Sequence, residues 1–328
     1  MREQNVNENG EYLPISIKSI SIDSVYQFDL YQKNNGSFRL FRCQNIPVLQ
    51  KDFDNLIEYG QEILYVPSEQ KEPFYDHMIN NLPNLLQDKS VLIEEKIDIL
   101  TSTSVSILDR ILTEPMSKAN IKNSVDHSNN HVYMALHKES SRHLMTMDYS
   151  KISYPIAHAI NVANMSILLG IRCGITNPEK LQNICIGALL HEIGKRIIDE
   201  NYYFRKNDNF RITNTRFKKY PIIGKNMLEK TGVVPSGALR PVLEHQERLD
   251  GTGYPFGLKA GEIGIEGRII AICDCYDEAL RTNKLKLNHK PFKILLKMKA
   301  SIIKFDKKIF VEFVHLLGTD IASKAIKI

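Results

Sequence analysis

Between residues 156 and 303 the apolar side chains of this chain recur at helical spacing in stretch after stretch, and no other feature limits its fold as strongly. Segments 156–171, 179–197, 221–230, 263–280 and 292–303 each place apolar residues three and four apart, the mark of helices with buried faces. That pattern predicts an all-α second domain. The first eighty or so residues read differently. Segments 28–31 and 38–41 are short β-prone runs around a hairpin turn at Asn34-Asn35-Gly36, 62–66 (EILYV) reads as a strand, and helices are expected over 50–59 and 69–82. The whole is α+β: a small N-terminal α/β domain of structural or regulatory role over 1–88, a helical connector over 89–145, and an all-α helical bundle over 146–328. In the connector, Ile93, Ile97, Leu100, Ile107, Leu108 and Ile111 predict one long helix. Its heptads are too imperfect for a coiled coil, though they suit a contact in a homodimer. The Asn- and Ser-rich interval 118–130 is expected to break the helices before the second domain.

Composition narrows the function class. With 328 residues, 43% hydrophobic and 25% charged, the chain has material for two globular units and is not a disordered protein. The polar start MREQNVNENGEY, and the lack of an uninterrupted apolar run of spanning length, predict a cytoplasmic protein with no membrane span. Five cysteines without regular intervals fit a reducing compartment. Cys273 and Cys275 are expected to pack rather than ligate, because residues two apart on a helix point away from each other. A net charge of +5, from 43 basic and 38 acidic side chains, is too mild to imply DNA or RNA binding. Lysines dominate between Lys284 and Lys308. There Leu295, Leu296, Met298, Ile302 and Ile303 can share an apolar helix face that leaves Lys293, Lys297 and Lys304 as its solvated side.

The chemistry-bearing residues concentrate in two segments. EHQERLDGTGYP (244–255) sets His245 beside Glu247, Asp250 and a turn of Gly251, Gly253, Tyr254 and Pro255, so candidate ligands and a tight loop fall together. ALLHEIGKR (188–196) sets His191 next to Glu192, with Lys195 four residues past His191 and, on a continuous helix, on the same face. The imidazole and carboxylate can turn toward one cation. The ammonium can meet a phosphate oxygen without competing for a metal, since it has no lone pair to donate. His77, His137 and His143 have no carboxylate at a telling spacing and are expected at the surface or in satisfied core positions.

Taken with His158 in PIAHAINVAN and Asp274 in IIAICDCYDEAL, these segments resemble the HD-GYP family of metal-dependent cyclic di-GMP phosphodiesterases, a branch of the HD hydrolase superfamily. The resemblance covers roughly 154–317. The family's HDxxK motif is matched by His191-Glu192-Ile193-Gly194-Lys195. Its HHExxDGxGYP is matched by His245-Gln246-Glu247-Arg248-Leu249-Asp250-Gly251-Thr252-Gly253-Tyr254-Pro255, and its closing helix by FDKKIFVEFVHLL. Separated matches in the right order are far more specific than any one of them.

The resemblance implies an HD-GYP helical bundle in which His158, His191, Glu192 and Asp274 hold a divalent metal. Iron or manganese suits that His/carboxylate set. It also implies a second ion bridged by Glu192 and held by His245. Two family histidines of that second site are here Tyr220 and Gln246, a phenol with an ordinary pKa of about 10 and a neutral amide, both poorer ligands than imidazole. Tyr154 stands where a third-metal carboxylate would be, so no third ion is expected. The implied reaction is attack of metal-activated water on a phosphodiester, with Glu192 at the metal and Lys195 stabilising the developing charge. Cyclic di-GMP would give linear pGpG and then GMP. Lys284, Lys286 and Tyr254 are the implied substrate contacts, and the loop of Asp250, Gly251, Gly253 and Pro255 is implied to meet diguanylate cyclase domains. Two other readings stand beside this one: a catalytically impaired domain that senses the nucleotide or a protein partner, and an HD hydrolase for another phosphorylated nucleotide. The retained GYP loop argues against the last.

Overall fold

The structure is a computed structural model that describes residues 12–318, apart from 18, 19, 21, 35, 90, 138, 148, 150, 151, 199–216 and 285–290. The chain divides between residues 99 and 100 into two compact units. In the first, strands β1 (Tyr12–Ser16), β2 (Leu30–Asn34), β3 (Ser37–Arg42) and β4 (Ile63–Pro67) form one antiparallel sheet of order β1-β4-β2-β3. The hairpin closes as its turn residues predict, pairing Lys33 with Phe38 and Asn34 with Ser37. Strand β1, with Pro14 inside it, gives little strand signal in the sequence; it lies on the sheet edge, where a missing N–H costs no ladder bond. Helices α1 (Gln50–Glu58) and α2 (Lys71–Gln87) complete the unit, and α2 packs on β4. Leu56, Leu64, Val66 and Leu82 are fully buried. His77 is a satisfied packing residue, its ring against Tyr26 and Phe28 and its Nδ1 2.9 Å from the Asn81 amide.

Helix α3 (Ile93–Thr113) matches the predicted connector helix and runs across the division. The second unit continues with α4 (Lys118–Leu136), α5 (Ser140–Thr146), α6 (Tyr154–Arg172), α7 (Pro178–Leu190), α8 (Ile193–Ile198), α9 (Tyr220–Thr231) and α10 (Ser236–Glu244). It ends with α11 (Ile265–Lys284), α12 (Pro291–Ala300) and α13 (Lys307–Leu316). Helix α6 is the centre, packed by α4, α5, α7, α11 and α13. By length and composition it is apolar enough to cross a membrane, with a mean hydropathy of 1.3, but 83% of that stretch is buried inside the unit, the place of a core helix. Helix α7 in turn packs on α4 and α10, while α9 lies against α8 and α10.

The structure corrects three expectations. The interval 118–130 is not a break but most of helix α4, started by Ser117, whose side chain accepts a hydrogen bond from the Asn120 N–H. Its polar residues misled because they pair with one another in the interior. Ser104 Oγ–H donates to the Leu100 carbonyl, and the same oxygen lies 2.8 Å from Nε2 of His127 and 2.9 Å from Nε2 of His131, whose Nδ1–H is given to the Asn164 amide oxygen. The Asn164 carboxamide lies 2.8 Å from Nδ1 of His131 and 3.2 Å from the Tyr149 hydroxyl. Second, the helix expected over 179–197 is interrupted at His191 and Glu192, between α7 and α8. Third, Leu296 and Ile303 do not join the apolar face of α12 and the turn after it: they are 42% and 68% exposed, while Ile294, Leu295 and Met298 are buried.

Candidate metal centre

The break after α7 is what aims His191. The last carbonyls of a helix lack intrahelical partners, and the His191 ring caps its own helix by donating from Nδ1 to the Ala188 carbonyl at 2.6 Å. That bond fixes the tautomer and leaves Nε2 as the lone-pair nitrogen. His158, one turn into α6, is held the same way by a carboxylate: its Nδ1 donates to Asp277 Oδ2 at 2.6 Å, and Asp277 also accepts from the Asn161 amide. Asp274 comes from the middle of α11, and Glu192 from the break itself.

These four meet. His158 Nε2 lies 3.2 Å from both His191 Nε2 and Asp274 Oδ1, and 3.8 Å from Glu192 Oε1; His191 Nε2 is 3.7 Å from Asp274 Oδ1 and 3.9 Å from Glu192 Oε1. One ligand atom from each residue fits within 4.8 Å of all the others, and every residue is nearly or fully buried. Two imidazoles oriented by partners on their far nitrogens, together with two carboxylates, fit one divalent cation. The electrostatics agree. Burial would lower the His158 pKa, but Glu192, Asp274 and Asp277 outweigh it and hold it up at about 10. Burial would raise Glu192, yet Lys195 and the two imidazoles hold it down at about 2. Asp274 is likewise held well below the usual carboxylate range against burial by hydrogen bonds with His158 and His191. The pocket carries surplus negative charge that a cation neutralises.

Lys195 lies on α8, past the break at His191 and Glu192; its ammonium pairs with Glu192 Oε1 and lies 4.9 Å from the centre of the Tyr220 ring. It borders the cluster as a buried cation. Gly194 makes this geometry feasible: a Cβ there would lie 2.0 Å from the Tyr220 carbonyl oxygen, so only glycine lets α8 approach α9 so closely.

The residues implied for a second ion are arranged otherwise. His245 caps α10 as His191 caps α7, with Nδ1 donating to the Val242 carbonyl at 2.8 Å. Its ring centre is 4.9 Å from that of His191, but its Nε2 accepts the Tyr220 O–H at 2.6 Å and does not join the four-residue cluster. Burial and the neighbouring His191 push its pKa down to about 3. Gln246 turns its amide nitrogen to Asp274 Oδ2 at 2.7 Å and its oxygen, the only atom able to ligate, toward Arg248 at 3.3 Å. Tyr220 is fully buried, and burial followed by Tyr254, Glu192 and Asp274 keeps its phenol protonated. This set does not fit a second ion.

The rest of the motif shapes the wall. Buried Glu247 accepts the Phe256 and Leu258 N–H groups at 2.7 and 2.9 Å, tying down the loop. Asp250 accepts from the Thr252 N–H and hydroxyl in a turn beside Gly251, and the Tyr254–Pro255 peptide is cis. A Cβ on Gly253 would lie 2.3 Å from Arg248 N, so this position admits no side chain. The Tyr154 ring lies parallel to that of His158 with centres 5.7 Å apart. Burial pushes the thiols of Cys273 and Cys275 up, in keeping with packing roles. Lys284 ends α11, its side chain not described, and Lys286 lies outside the described residues. Sequence reading missed Asp277; a carboxylate three residues beyond a ligand on the same helix is the signal that could have found it.

The HD domain family matches residues 138–309. A cyclic di-GMP phosphodiesterase of Borreliella burgdorferi, PdeB, is 30% identical over 168 residues, 51% of this chain and 44% of that protein. A cyclic di-GMP phosphodiesterase of Pseudomonas aeruginosa is 29% identical over 168 residues, 50% of this chain and 40% of that protein. The chain thus spans less than half the length of these curated relatives. Among solved structures, an HDG"Y"P protein of Bdellovibrio bacteriovorus superposes with a TM-score of 0.64 at 17% identity, covering 94% of this chain and 99% of that one, a likeness of fold. The match across the site-bearing helices and the buried His/carboxylate cluster place this chain in the HD domain family.

Proposed function

We propose that the chain is a metal-dependent phosphodiesterase that opens cyclic di-GMP to linear pGpG and then yields GMP. The observation that carries this reading is the buried cluster of His158, His191, Glu192 and Asp274 with the Lys195 ammonium at its edge. Bound there, iron or manganese would supply Lewis acidity at a phosphoryl oxygen and lower the pKa of water. The protein's own groups do the rest. Asp277 and the Ala188 carbonyl take the Nδ1–H of the two imidazoles and aim both Nε2 atoms inward. Lys195 offsets charge that builds on the phosphoryl oxygens while the bond to the ribose 3'-oxygen breaks and that oxygen takes up a proton. The glycine-rich loop, with Tyr254, walls the site, and the same loop is the proposed meeting point for diguanylate cyclase domains.

Hydrolysis of cyclic di-GMP by protein reconstituted anaerobically with ferrous iron or manganese tests this, with pGpG identified by chromatography. A second reading, a cyclic di-GMP sensor or protein-interaction module without turnover, is favoured by one observation: Gln246 and Tyr220 are engaged in hydrogen bonds where ligands would be needed. Nucleotide binding without product under either metal would establish the sensor and exclude the enzyme.

A further inference from the structure

We infer that this chain holds one metal ion, and that a directed row of hydrogen bonds through Tyr254, Tyr220 and His245, flanked by Gln246, fills the place of a second. The direction of the row follows from its inner end. His245 commits its one ring proton to the Val242 carbonyl at 2.8 Å, so Nε2 must accept, and the Tyr220 hydroxyl 2.6 Å away must donate. Tyr254, the tyrosine of the GYP loop, completes the row by hydrogen-bonding to the Tyr220 side chain, their ring centres 6.2 Å apart. The lone pair of His245 that would meet an ion is thereby occupied.

The flank is closed as well. The Gln246 amide oxygen faces Arg248, whose guanidinium also donates to the His245 and Glu247 carbonyls, so a fixed positive charge stands beside this position. A second cation would meet that charge, and Gln246 would have to release Asp274 to offer its oxygen. Nor is Tyr220 free to withdraw. It is fully buried against Phe217, with the backbone of Gly194 pressed on its own carbonyl. The row also gives the GYP tyrosine a role without a second metal: Tyr254 is tied through Tyr220 to the helix end that adjoins His191.

This inference rests on the metal-binding part of the proposed function and not on turnover. The full chain, stripped with chelator and equilibrated anaerobically with manganese, is assayed by equilibrium dialysis and elemental analysis. One ion per chain is expected, and two ions per chain overturn the proposal. The double variant Tyr220→His with Gln246→His should take up two, with the exchange-coupled electron paramagnetic resonance spectrum of a manganese pair; a variant that folds and still binds one overturns the assignment of these two residues. Should that variant fail to fold, nitrogen NMR of the wild-type chain decides. Loading with one equivalent of zinc should leave His245 as its Nδ1–H tautomer with Nε2 hydrogen-bonded, whereas direct ligation of zinc by His245 Nε2 defeats the proposal. Two ions with hydrolysis would sink this inference and keep the phosphodiesterase; one ion without hydrolysis would do the reverse.

Discussion

Asp277 accepts the Nδ1–H of His158 at 2.6 Å from one helical turn beyond Asp274, so a single face of α11 supplies both a candidate ligand and the group that orients another. Partners of this kind fix ring tautomer and raise ligand basicity.

Replacing Asp277 with Ala should therefore weaken metal binding about 10- to 100-fold while leaving all four candidate ligands in place. Asp277→Asn should recover part of the loss, because an amide oxygen can still accept from His158. Competition of manganese against a chromophoric chelator reads this directly. An unchanged affinity in Asp277→Ala would show that the contact does not orient the ligand.

His191→Ala removes a ligand and a helix cap together. Metal content should fall to background, and any hydrolysis of cyclic di-GMP should fall with it, while circular dichroism reports a retained helical fold. Survival of both metal and activity would mean that the cluster is not the metal site.

The buried pair on α4 predicts a pH dependence of stability. Burial lowers the pKa of His131 from 6.5 to about 4, and burial with the nearby His131 ring holds that of His127 well below its usual value. The unfolded chain thus binds protons that the folded chain refuses, so this stability is fully present above 6.5 and is lost as pH falls toward 4. For His131 the loss is about 3 kcal/mol. Urea midpoints measured from pH 7.5 down to about 4 should fall, and His131→Gln should flatten the curve. A wild-type profile flat over that range would show that the histidines are not held neutral.

Glu247 reads as a loop anchor, not a ligand. Glu247→Ala leaves the Phe256 and Leu258 N–H groups without their acceptor, and about 3 kcal/mol of stability should go with them. Metal content should stay at the wild-type level. Loss of metal with unchanged stability would assign Glu247 to the site instead.

The helical half of the chain was legible because its apolar residues repeat at a period set by the backbone alone. Ile97, Leu100, Ile107 and Ile111 predict α3 to within a residue of its observed ends. Helix α4 was not legible: its Asn, Ser and His residues carry turn propensity, and only burial against Ser104 and Asn164 gives them partners inside a helix. The four candidate ligands were found through ordered motifs, yet the break that separates α7 from α8 was not, since nothing in HEIGK announces that His191 will cap the Ala188 carbonyl.

Residue types and their order determined the family of this protein, the identity of the cluster and the places where it departs from its relatives. Tertiary structure decided what those departures mean. Ligation depends on where a lone pair points, and direction is set by hydrogen bonds from residues distant in sequence: Asp277 for His158, Tyr220 for His245, Asp274 and Arg248 for Gln246. A sequence names the atoms able to bind a cation, while the fold chooses which of them are left to do so.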